Sequence, residues 1–473
     1  MAIVEKLFPQ AQTVKKIKKM TLIKSISGIR GTLENIPGQS LSDYDIKQFT
    51  LAYIQEIIIK HSSSIILVGR DARESGERIS NIIKEVISRE GLDAIDLGLV
   101  TTPTIGISVK KLNAAGGIMI SASHNDERWN ALKLLNNDGE FLHPNDVQLV
   151  IKEEKRDESS GQNKGNISYY DKALDDHIDI VLSQDFIDID LIKSKSFSVI
   201  VDGINSVGGI AIPKFLESIG INKIQKMNCK PDGKFNHNPE PLPENITEIC
   251  SEIKNRTFDF GVVVDPDADR LCLVDENGMP FGEEYTLVAA AEYVLSNNKG
   301  SSSCSNLSSS LALRKITERY DGEYYSSAVG EINVVEKMKE NNCLIGGEGN
   351  GGVIYPKTHY GRDSLIGLAL IISLLVEKNI SLSELKKLLP EYHIYKQKMS
   401  YSGELSKVIS TFKSLYHEDQ IDTTDGIKIN LIDSWVHIRK SNTEPVIRVI
   451  SEAQSLNEAI KISKKIISKL HTI

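Results

Sequence analysis

The chain has 473 residues, of which 40% are hydrophobic, and a formal net charge of −8. This length predicts three or four domains of about 100–150 residues each, and the negative charge argues against general nucleic-acid binding. No apolar run reaches the roughly 20 residues that span a bilayer. Five cysteines without ligand-like spacing indicate reduced thiols, so a cytoplasmic protein without nucleic-acid or membrane partners is expected.

Residues 1–19 precede the pattern from which the fold is predicted. They lack the long apolar segment and the small-residue cleavage site of a secretory signal, so they are interpreted as an optional leader outside the fold. The first strand is expected to begin just after Met20.

The first domain, predicted over residues 20–165, alternates strand-like and helix-like patterns. Apolar runs separated by amphipathic stretches predict a doubly wound α/β domain; the runs cover residues 22–26, 64–68, 94–99 and 118–120. Arg30 stands between Gly28 and Gly31, where the backbone can approach a ligand closely and a guanidinium can bind an anion. A solvated arginine in an ordinary turn is the alternative.

A short polar segment follows the apolar run at 118–120, at the end of a strand where open α/β sheets bind ligands. Ser123 offers a nucleophilic oxygen, His124 a proton-transfer partner and Lys133 a cation. Taken alone, the residues fit an ordinary polar turn equally well, because nucleophile motifs need structural context.

The second domain, predicted over residues 166–281, contains three aspartates at alternate positions after an apolar strand. Asp265, Asp267 and Asp269 concentrate negative charge that a hard cation would relieve. A calcium-binding EF-hand loop is the rival interpretation, but Arg270 stands where that loop requires glycine, and both flanks are strand-like rather than helical. The sequence therefore predicts a metal loop that joins two strands.

The third domain, predicted over residues 282–394, carries a glycine-rich loop. Glu348 and Asn350 lie among five glycines, a composition that suits hydrogen bonds to sugar hydroxyls because glycine lets the ring come close. A plain glycine turn is the alternative. Upstream, the serine-rich stretch at 301–305 is predicted to be a flexible loop.

The last domain, predicted over residues 395–473, contains two paired strands at 435–439 and 445–450. Cations, hydroxyls and backbone donors suited to a phosphate gather between and beside them; they come from Arg439, Lys440, Ser441, Asn442, Thr443 and Arg448. A basic hairpin turn would explain Arg439 and Lys440 but would leave Ser441, Thr443 and Arg448 coincidental. A final amphipathic helix is predicted with one apolar face, formed by Leu456, Ile460, Ile467 and Leu470.

These motifs, in this order, resemble those of the α-D-phosphohexomutases, the family of phosphoglucomutase, phosphomannomutase and phosphoglucosamine mutase. Ser121-Ala122-Ser123-His124-Asn125-Asp126 is similar to the family's phosphoserine loop T-A-S-H-N-P, and Lys133 matches the lysine of the following N-G-x-K. Arg30 falls in a G-I-R-G segment, and residues 265–270 resemble the metal loop D-G/P-D-x-D-R. Residues 439–448 resemble R-P-S-G-T-E-P-x-x-R.

The resemblance implies three mixed doubly wound α/β domains plus a C-terminal α+β domain around a central cleft. It implies a phosphoserine enzyme that interconverts hexose 6-phosphate and hexose 1-phosphate through a bisphosphorylated intermediate, with one Mg²⁺ per site and hexose 1,6-bisphosphate as activator, acting as a monomer or homodimer. The implied catalytic residues are Ser123, His124, Lys133 and Arg30; the implied metal ligands are Ser123, Asp265, Asp267 and Asp269; the implied substrate-binding residues are Arg270, Glu348, Asn350, Arg439, Ser441, Asn442, Thr443 and Arg448.

One loop departs from the family pattern. The family's sugar loop is G-E-x-S-G-H, whereas this chain has Asn350 for the serine and Gly352 for the histidine, so His359 is a candidate for the missing imidazole. The overall similarity favours phosphoglucosamine mutase, with phosphoglucose or phosphomannose as alternative substrates. A metal-dependent sugar phosphatase and a catalytically silent sugar-phosphate binding protein are the remaining hypotheses.

Overall fold

The computed structural model describes residues 20–152, 155–157, 163–401, 403–440 and 446–472. Four sheets of seven, four, four and five strands follow one another along these residues. The first three sheets mix parallel and antiparallel strands and carry helices, whereas the strands of the last sheet are all antiparallel. The predicted fold class is confirmed.

The first sheet has the strand order β1-β2-β6-β5-β3-β4-β7. Its elements are β1 (Ile23–Ser25), β2 (Gly28–Thr32), α1 (Asp43–Glu56), β3 (Ile65–Arg70), α2 (Gly76–Arg89), β4 (Asp93–Leu99), α3 (Thr102–Lys111), β5 (Gly116–Ile120), β6 (Trp129–Leu135), α4 (Pro144–Val150) and β7 (Ile167–Tyr169). All five residues of β5 are buried, because helices cover both faces of the parallel centre of this sheet.

The alternative interpretation of the segment around Arg30, a glycine turn with a solvated arginine, is wrong in its secondary structure. Arg30 lies within strand β2, which pairs with β6. A Cβ on Gly28 would stand 2.6 Å from the carbonyl oxygen of Leu132, so this glycine permits the close approach of a neighbouring strand. The sheet also extends past the predicted boundary at 165, because β7 pairs with β4.

The second sheet has the order β11-β10-β8-β9. Its elements are α5 (Ala173–Leu182), α6 (Ile189–Lys195), β8 (Ser198–Asp202), α7 (Gly208–Ser218), β9 (Lys223–Met227), α8 (Thr247–Asn255), β10 (Phe260–Val264) and β11 (Leu271–Asp275). Strands β10 and β11 pair in antiparallel fashion, so the three aspartates lie in the loop that joins two strands, as predicted.

The third sheet has the order β13-β12-β14-β15. Its elements are α9 (Glu283–Ser296), β12 (Ser303–Asn306), α10 (Leu311–Arg319), β13 (Tyr324–Ser327), α11 (Glu331–Glu340), β14 (Ile345–Glu348), β15 (Gly352–Ile354), α12 (Ser364–Lys378) and α13 (Leu382–Leu388). Among the described residues no single helix is long and apolar enough to cross a membrane, although α12 and α13, bent by 88° where they meet, together have the length and composition of a span.

The serine-rich stretch at 301–305 was predicted to be a flexible loop, and this is wrong for Ser303 to Ser305. These serines belong to β12, a buried strand that pairs with strands on both sides. Their hydroxyls are satisfied inside the domain: Ser303 Oγ lies 2.5 Å from Thr317 Oγ1, and Ser305 Oγ lies 2.9 Å from the Tyr324 hydroxyl. Polar side chains are tolerated here because each has a partner.

The fourth sheet has the order β16-β20-β19-β18-β17. Its elements are β16 (His393–Ser400), α14 (Leu405–Lys413), β17 (Ile421–Asp422), β18 (Ile427–Leu431), β19 (Ser434–Lys440), β20 (Val446–Ala453) and α15 (Leu456–Leu470). The predicted pairing of the strands now labelled β19 and β20 is confirmed. Strand β16 begins two residues before the predicted boundary at 395.

The apolar face predicted for the last helix is only partly correct. The buried residues of α15 are Ala459, Ser463, Ile466 and Leu470, whereas Leu456 is 48% exposed. Small residues occupy two of the buried positions because the helix packs closely against strands β16 and β20, and Ser463 Oγ donates to Gln397 Oε1 at 3.3 Å.

A buried lysine joins the third and fourth domains. Lys428 on β18 is 5% exposed, and its Nζ donates to the carbonyl oxygen of Leu307 at 2.8 Å. The ammonium also lies 4.3 Å from the centre of the Trp435 ring. Burial lowers the pKa of Lys428 to about 8, against an ordinary value of 10.5, although Glu452 and Asp422 act in the opposite direction.

We expect the unfolding of the Lys428→Met variant to depend less on pH than that of the wild type. Between pH 8 and 10.5 the unfolded chain binds more protons at this lysine than the folded chain, so wild-type stability rises with pH through this window. The wild type should gain about 3 kcal/mol relative to the variant across it. Urea unfolding at several pH values measures the difference, and parallel curves would contradict the lowered pKa.

Candidate active site

Ser123 is held in an unusual backbone conformation at the end of β5. Its φ is 49°, a left-handed value that non-glycine residues adopt rarely and that the surroundings must enforce. Its N–H donates to Ser121 Oγ at 2.9 Å, and the Arg73 guanidinium donates to the carbonyl oxygens of Ser123 and Asn125 at 2.7 and 2.5 Å. The serine is 3% exposed, and its hydroxyl donates to Asp265 Oδ2 at 2.7 Å.

The three aspartates form a buried acidic cluster beneath Ser123. None of them is exposed, and one carboxylate oxygen from each lies within 4.8 Å of the others. Asp267 Oδ1 and Asp269 Oδ1 are buried without a hydrogen-bond partner among the described residues. Burial and the two neighbouring carboxylates raise the pKa of Asp265 well above its usual range. Convergent carboxylate oxygens that lack donors are the ligands that a divalent cation requires, so these residues fit one.

Lys133 on β6 pairs with the acidic cluster. Its ammonium forms an ion pair with Asp267 and lies 3.5 Å from Asp269 Oδ2. Burial alone would lower the pKa of Lys133, but the charges of Asp267 and Asp269 outweigh it and the pKa is raised. The ammonium likewise lowers the pKa of Asp267, although burial acts to raise it. Lys133 is therefore charged, and Asp267 is ionised.

The cluster also joins the first two domains through α3 and the Ser123 loop. Thr102, the first residue of α3, donates its N–H to the carbonyl oxygen of Asp267 at 3.0 Å, and its hydroxyl hydrogen-bonds the Asp267 side chain. The Ser206 hydroxyl accepts from the N–H of Ala72 at 3.2 Å and donates to the carbonyl oxygen of Pro266 at 2.5 Å. These contacts thus fix the acidic loop against the first domain.

His124 and Arg30 complete the reactive end of the cleft. His124 Nδ1 lies 3.3 Å from Ser123 Oγ. The charge of Arg270, burial and the charge of Arg30 hold the pKa of His124 well below its usual range, so the imidazole is neutral. Arg30 donates to Asn125 Oδ1 at 2.6 Å, and burial, followed by Arg270, lowers its pKa to about 10.

Arg362 is a site residue that the sequence analysis missed. Its guanidinium is buried and contacts Asp269 Oδ2 at 2.7 Å, Glu348 Oε2 at 2.8 Å and Glu331 Oε2 at 3.0 Å. It thereby ties the metal loop to the glycine-rich sugar loop. The one clue in the sequence is that this arginine stands in the polar stretch between β15 and α12, which also supplied His359 as a candidate imidazole.

His359 does not replace the missing histidine of the sugar loop. Its imidazole is buried, with Nε2 3.9 Å from Asp363 Oδ2, and it lines neither of the two cavities that form the cleft. Burial lowers the pKa of His359 to about 4. Glu348 Oε1 instead accepts from Asn306 Nδ2 at 2.9 Å and from the N–H of Gly330 at 3.1 Å, so its position is fixed within the third domain.

Most of the predicted site residues line one cleft made of two adjoining cavities, with the three aspartates buried beneath Ser123. The reactive cavity has a volume of about 410 Å³, and among the predicted residues it is lined by Arg30, Ser123, His124, Lys133, Arg270, Glu348, Asn350 and Arg448. The distal cavity has a volume of about 530 Å³ and adds Arg439. Because His124, Glu348, Asn350 and Arg448 line both, the cleft is continuous. Ser441, Asn442 and Thr443 lie outside the described residues.

The order of the four domains and the residues of the cleft agree with one class of enzyme. The chain matches the α/β/α domains I, II and III of the phosphoglucomutase/phosphomannomutase family over residues 22–160, 175–278 and 282–392. It matches the C-terminal domain of the same family over residues 377–469.

Similar proteins carry the same class of name. A phosphoglucomutase/phosphomannomutase of Thermococcus kodakarensis is 35% identical over 84% of this chain and 87% of its own length. A phosphoglucosamine/phosphogalactosamine mutase of Sulfurisphaera tokodaii is 30% identical over 85% and 92%. The fold of a Burkholderia thailandensis family member matches with a TM-score of 0.79 at 22% identity, covering 93% of this chain and 94% of that one.

A more distant fold match comes from an enzyme solved with ligands. The N-acetylphosphoglucosamine mutase of Aspergillus fumigatus, in complex with GlcNAc-6P and magnesium, matches with a TM-score of 0.52 at 15% identity over 78% of this chain and 92% of its own. The class that these findings define is the phosphohexomutases, which are isomerases that move a phosphoryl group within a sugar. The chain belongs to the phosphoglucomutase/phosphomannomutase family of α-D-phosphohexomutases.

Proposed function

We propose that Ser123 carries the phosphoryl group that this phosphohexomutase transfers, and that a divalent cation, Mg²⁺, is held by Asp265, Asp267 and Asp269. The observation that carries this proposal is the 2.7 Å hydrogen bond between Ser123 Oγ and Asp265, which places the hydroxyl against a buried triad in which Asp267 Oδ1 and Asp269 Oδ1 lack donors among the described residues. The cation, when bound, would neutralise the charge of the triad and polarise a phosphoryl group on Ser123.

The transfer is a balanced exchange of one phosphorus–oxygen bond for another. A hydroxyl of the hexose monophosphate forms a bond to the phosphorus on Ser123, the bond from phosphorus to Ser123 Oγ breaks, and the sugar becomes a bisphosphate. After the sugar has turned over, Ser123 Oγ takes the other phosphoryl group. Free hexose 1,6-bisphosphate would phosphorylate the serine by the same reaction, which makes it the expected activator.

The charged and neutral groups around Ser123 have separate roles in this scheme. His124, neutral and 3.3 Å from Ser123 Oγ, is placed to exchange a proton with that oxygen. Lys133 stays protonated against Asp267 and stabilises negative charge in the transition state, and Arg30 and Arg270 add positive charge on the cleft side. Glu348 and Asn350 would bind sugar hydroxyls, while Arg439 and Arg448, with Ser441, Asn442 and Thr443, would hold the phosphate that does not react.

Glucosamine phosphate is the substrate that we propose. The Sulfurisphaera relative is named for amino sugars, and the distal cavity supports the choice. Glu240 and Glu348 line that cavity. Carboxylates beside a phosphate site repel a purely anionic ligand, whereas they attract an ammonium group on the sugar ring. Glucose and mannose phosphates are the alternatives.

The purified protein should convert glucosamine 6-phosphate into the 1-phosphate in the presence of Mg²⁺ and a catalytic amount of hexose 1,6-bisphosphate. Its kcat/KM for glucosamine phosphate should exceed that for glucose and mannose phosphates about tenfold or more, a difference of about 1.4 kcal/mol in transition-state binding. Phosphorus NMR follows both isomers and inorganic phosphate together. Net release of phosphate would identify a phosphatase, and binding without either product would identify a silent binding protein.

The Asp265→Asn variant should be more stable than the wild type without metal and less responsive to metal. Removing one of three crowded carboxylates relieves burial of charge and mutual repulsion, the causes that raise the pKa of Asp265. The free energy of unfolding of the metal-free protein should rise by about 1 kcal/mol. Thermal unfolding with and without Mg²⁺ measures both effects. A metal-induced rise in Tm equal to that of the wild type would remove Asp265 from the ligand set.

A further inference from the structure

Three cations stand side by side across the sheet of the fourth domain. In the register of the antiparallel strands, Lys398 on β16 pairs with Arg448 on β20, and Arg448 pairs with Arg439 on β19. Side chains at paired positions of neighbouring strands point to the same face of the sheet, with Cβ atoms about 4.5–5.5 Å apart. Lys398, Arg448 and Arg439 therefore form one row, called here the cation row.

The cation row faces the cleft. The residues that alternate with it on β19 and β20 point the other way: Ile438, Ile447 and Val449 are buried in the core of the fourth domain. Lys398, Arg448 and Arg439 all line the distal cavity. The row thus extends the predicted phosphate site by one strand, onto β16, which the motif at residues 439–448 does not include.

Like charges directly opposite one another destabilise a sheet, and an anion or a counter-charge relieves the repulsion between the two arginines of the row. Arg439 has one such counter-charge, since its Nη2 lies 3.2 Å from Asp425 Oδ2. Arg439 Nε and Arg448 Nε are nevertheless buried without a hydrogen-bond partner among the described residues. Donors left in this state on a cleft-facing surface are suited to the oxygens of a phosphate.

We propose that Lys398 is a binding residue for the non-reacting phosphate of the substrate and of the bisphosphorylated intermediate. The inference rests on the proposed function, because it takes a hexose phosphate as the ligand of the cleft. The ammonium adds a point charge beside the two guanidinium groups. It would bind the phosphate dianion that stays in place while the other end of the sugar reacts. The bisphosphate, which carries two phosphates, depends on the row most strongly.

The Lys398→Gln variant tests the assignment. We expect its dissociation constant for glucosamine 6-phosphate, measured by calorimetry on full-length protein, to rise about tenfold. The KM should rise by a similar factor with kcat nearly unchanged, and turnover should need more added hexose 1,6-bisphosphate, because the intermediate escapes more often. Lys398→Arg keeps the charge and should recover most of the affinity. The matched control is Lys413→Gln, which removes an exposed lysine from α14 of the same domain.

Stability separates a binding role from a structural one. A binding role predicts that the affinity of Lys398→Gln falls while the Tm of the ligand-free variant stays within about 2 °C of that of the wild type. A lower Tm together with unchanged affinity would show that Lys398 supports the sheet, and unchanged affinity at unchanged Tm would also overturn the proposal. Failure of the proposed function is a different result, since the wild type itself would then form no 1-phosphate.

Discussion

The Ser123→Ala variant should lose mutase turnover by roughly 10⁴-fold or more, because the proposed carrier of the phosphoryl group is removed. The wild type purified from cells should show the added mass of one phosphoryl group in part of the population, and the variant should show none. Substrate binding should persist, since every group that is proposed to hold the sugar and its non-reacting phosphate is kept. Phosphorus NMR of the sugar isomers and intact-protein mass spectrometry together give the result.

Metal binding is the internal control for this variant. The three aspartates remain in Ser123→Ala, so Mg²⁺ should still raise its Tm. A second control is Ser218→Ala at the end of α7, whose hydroxyl donates only to the carbonyl oxygen of Phe215, at 2.6 Å; this variant should turn over normally. If Ser123→Ala isomerised glucosamine phosphate at the wild-type rate, the assignment of the nucleophile would be wrong.

Of the variants proposed, Arg362→Gln should lose the most stability. It should also bind Mg²⁺ more weakly. The substitution leaves the carboxylates of Asp269, Glu331 and Glu348 buried without their common cation, which costs about 3–5 kcal/mol. Affinity for Mg²⁺ should fall about 10–100-fold, because Arg362 orients one of the aspartates. Chemical denaturation and a Mg²⁺ titration of the folded variant measure the two effects.

Two further variants make this prediction specific. Arg314→Gln removes a half-exposed arginine that pairs with Glu318 one helical turn away, and its effect should stay below about 0.5 kcal/mol. Glu331→Gln should rescue part of the loss when added to Arg362→Gln, because it removes one of the stranded carboxylates; burial already raises the pKa of Glu331 to about 7. Additive effects of the two substitutions would show that the residues do not act as a unit.

Motifs in which several charged or reactive residues lie close together in the chain were predictable from the sequence. Alternating aspartates after an apolar strand identified the acidic loop, and the structure brings Asp265, Asp267 and Asp269 together because a tight loop between paired strands leaves them little freedom. The polar segment around Ser123 was predictable for the same reason, since its place at the end of a buried strand is a local property.

Contacts between distant segments were not predictable in this way. Arg362 is 93 residues from Asp269, and no local pattern distinguishes an arginine that will be buried among carboxylates from one in solvent. Composition predicted a loop for the serines of β12. Hydrogen-bond partners on α10 and β13 stabilise these serines in a strand instead. Lys398 was not predicted as a site residue, because its neighbours in the cation row come from other strands.

The contacts that Thr102 and Ser206 make across the first two domains bear on how this enzyme could be divided. A fragment that ended after the first domain would contain the reactive serine without Asp265, and the complementary fragment would contain the acidic loop without Lys133 to balance it. Neither fragment could hold its part of the site in the native arrangement, because each would contain charged or polar atoms that have lost their partners. Each of the two fragments produced alone should therefore show neither cation uptake nor catalysis.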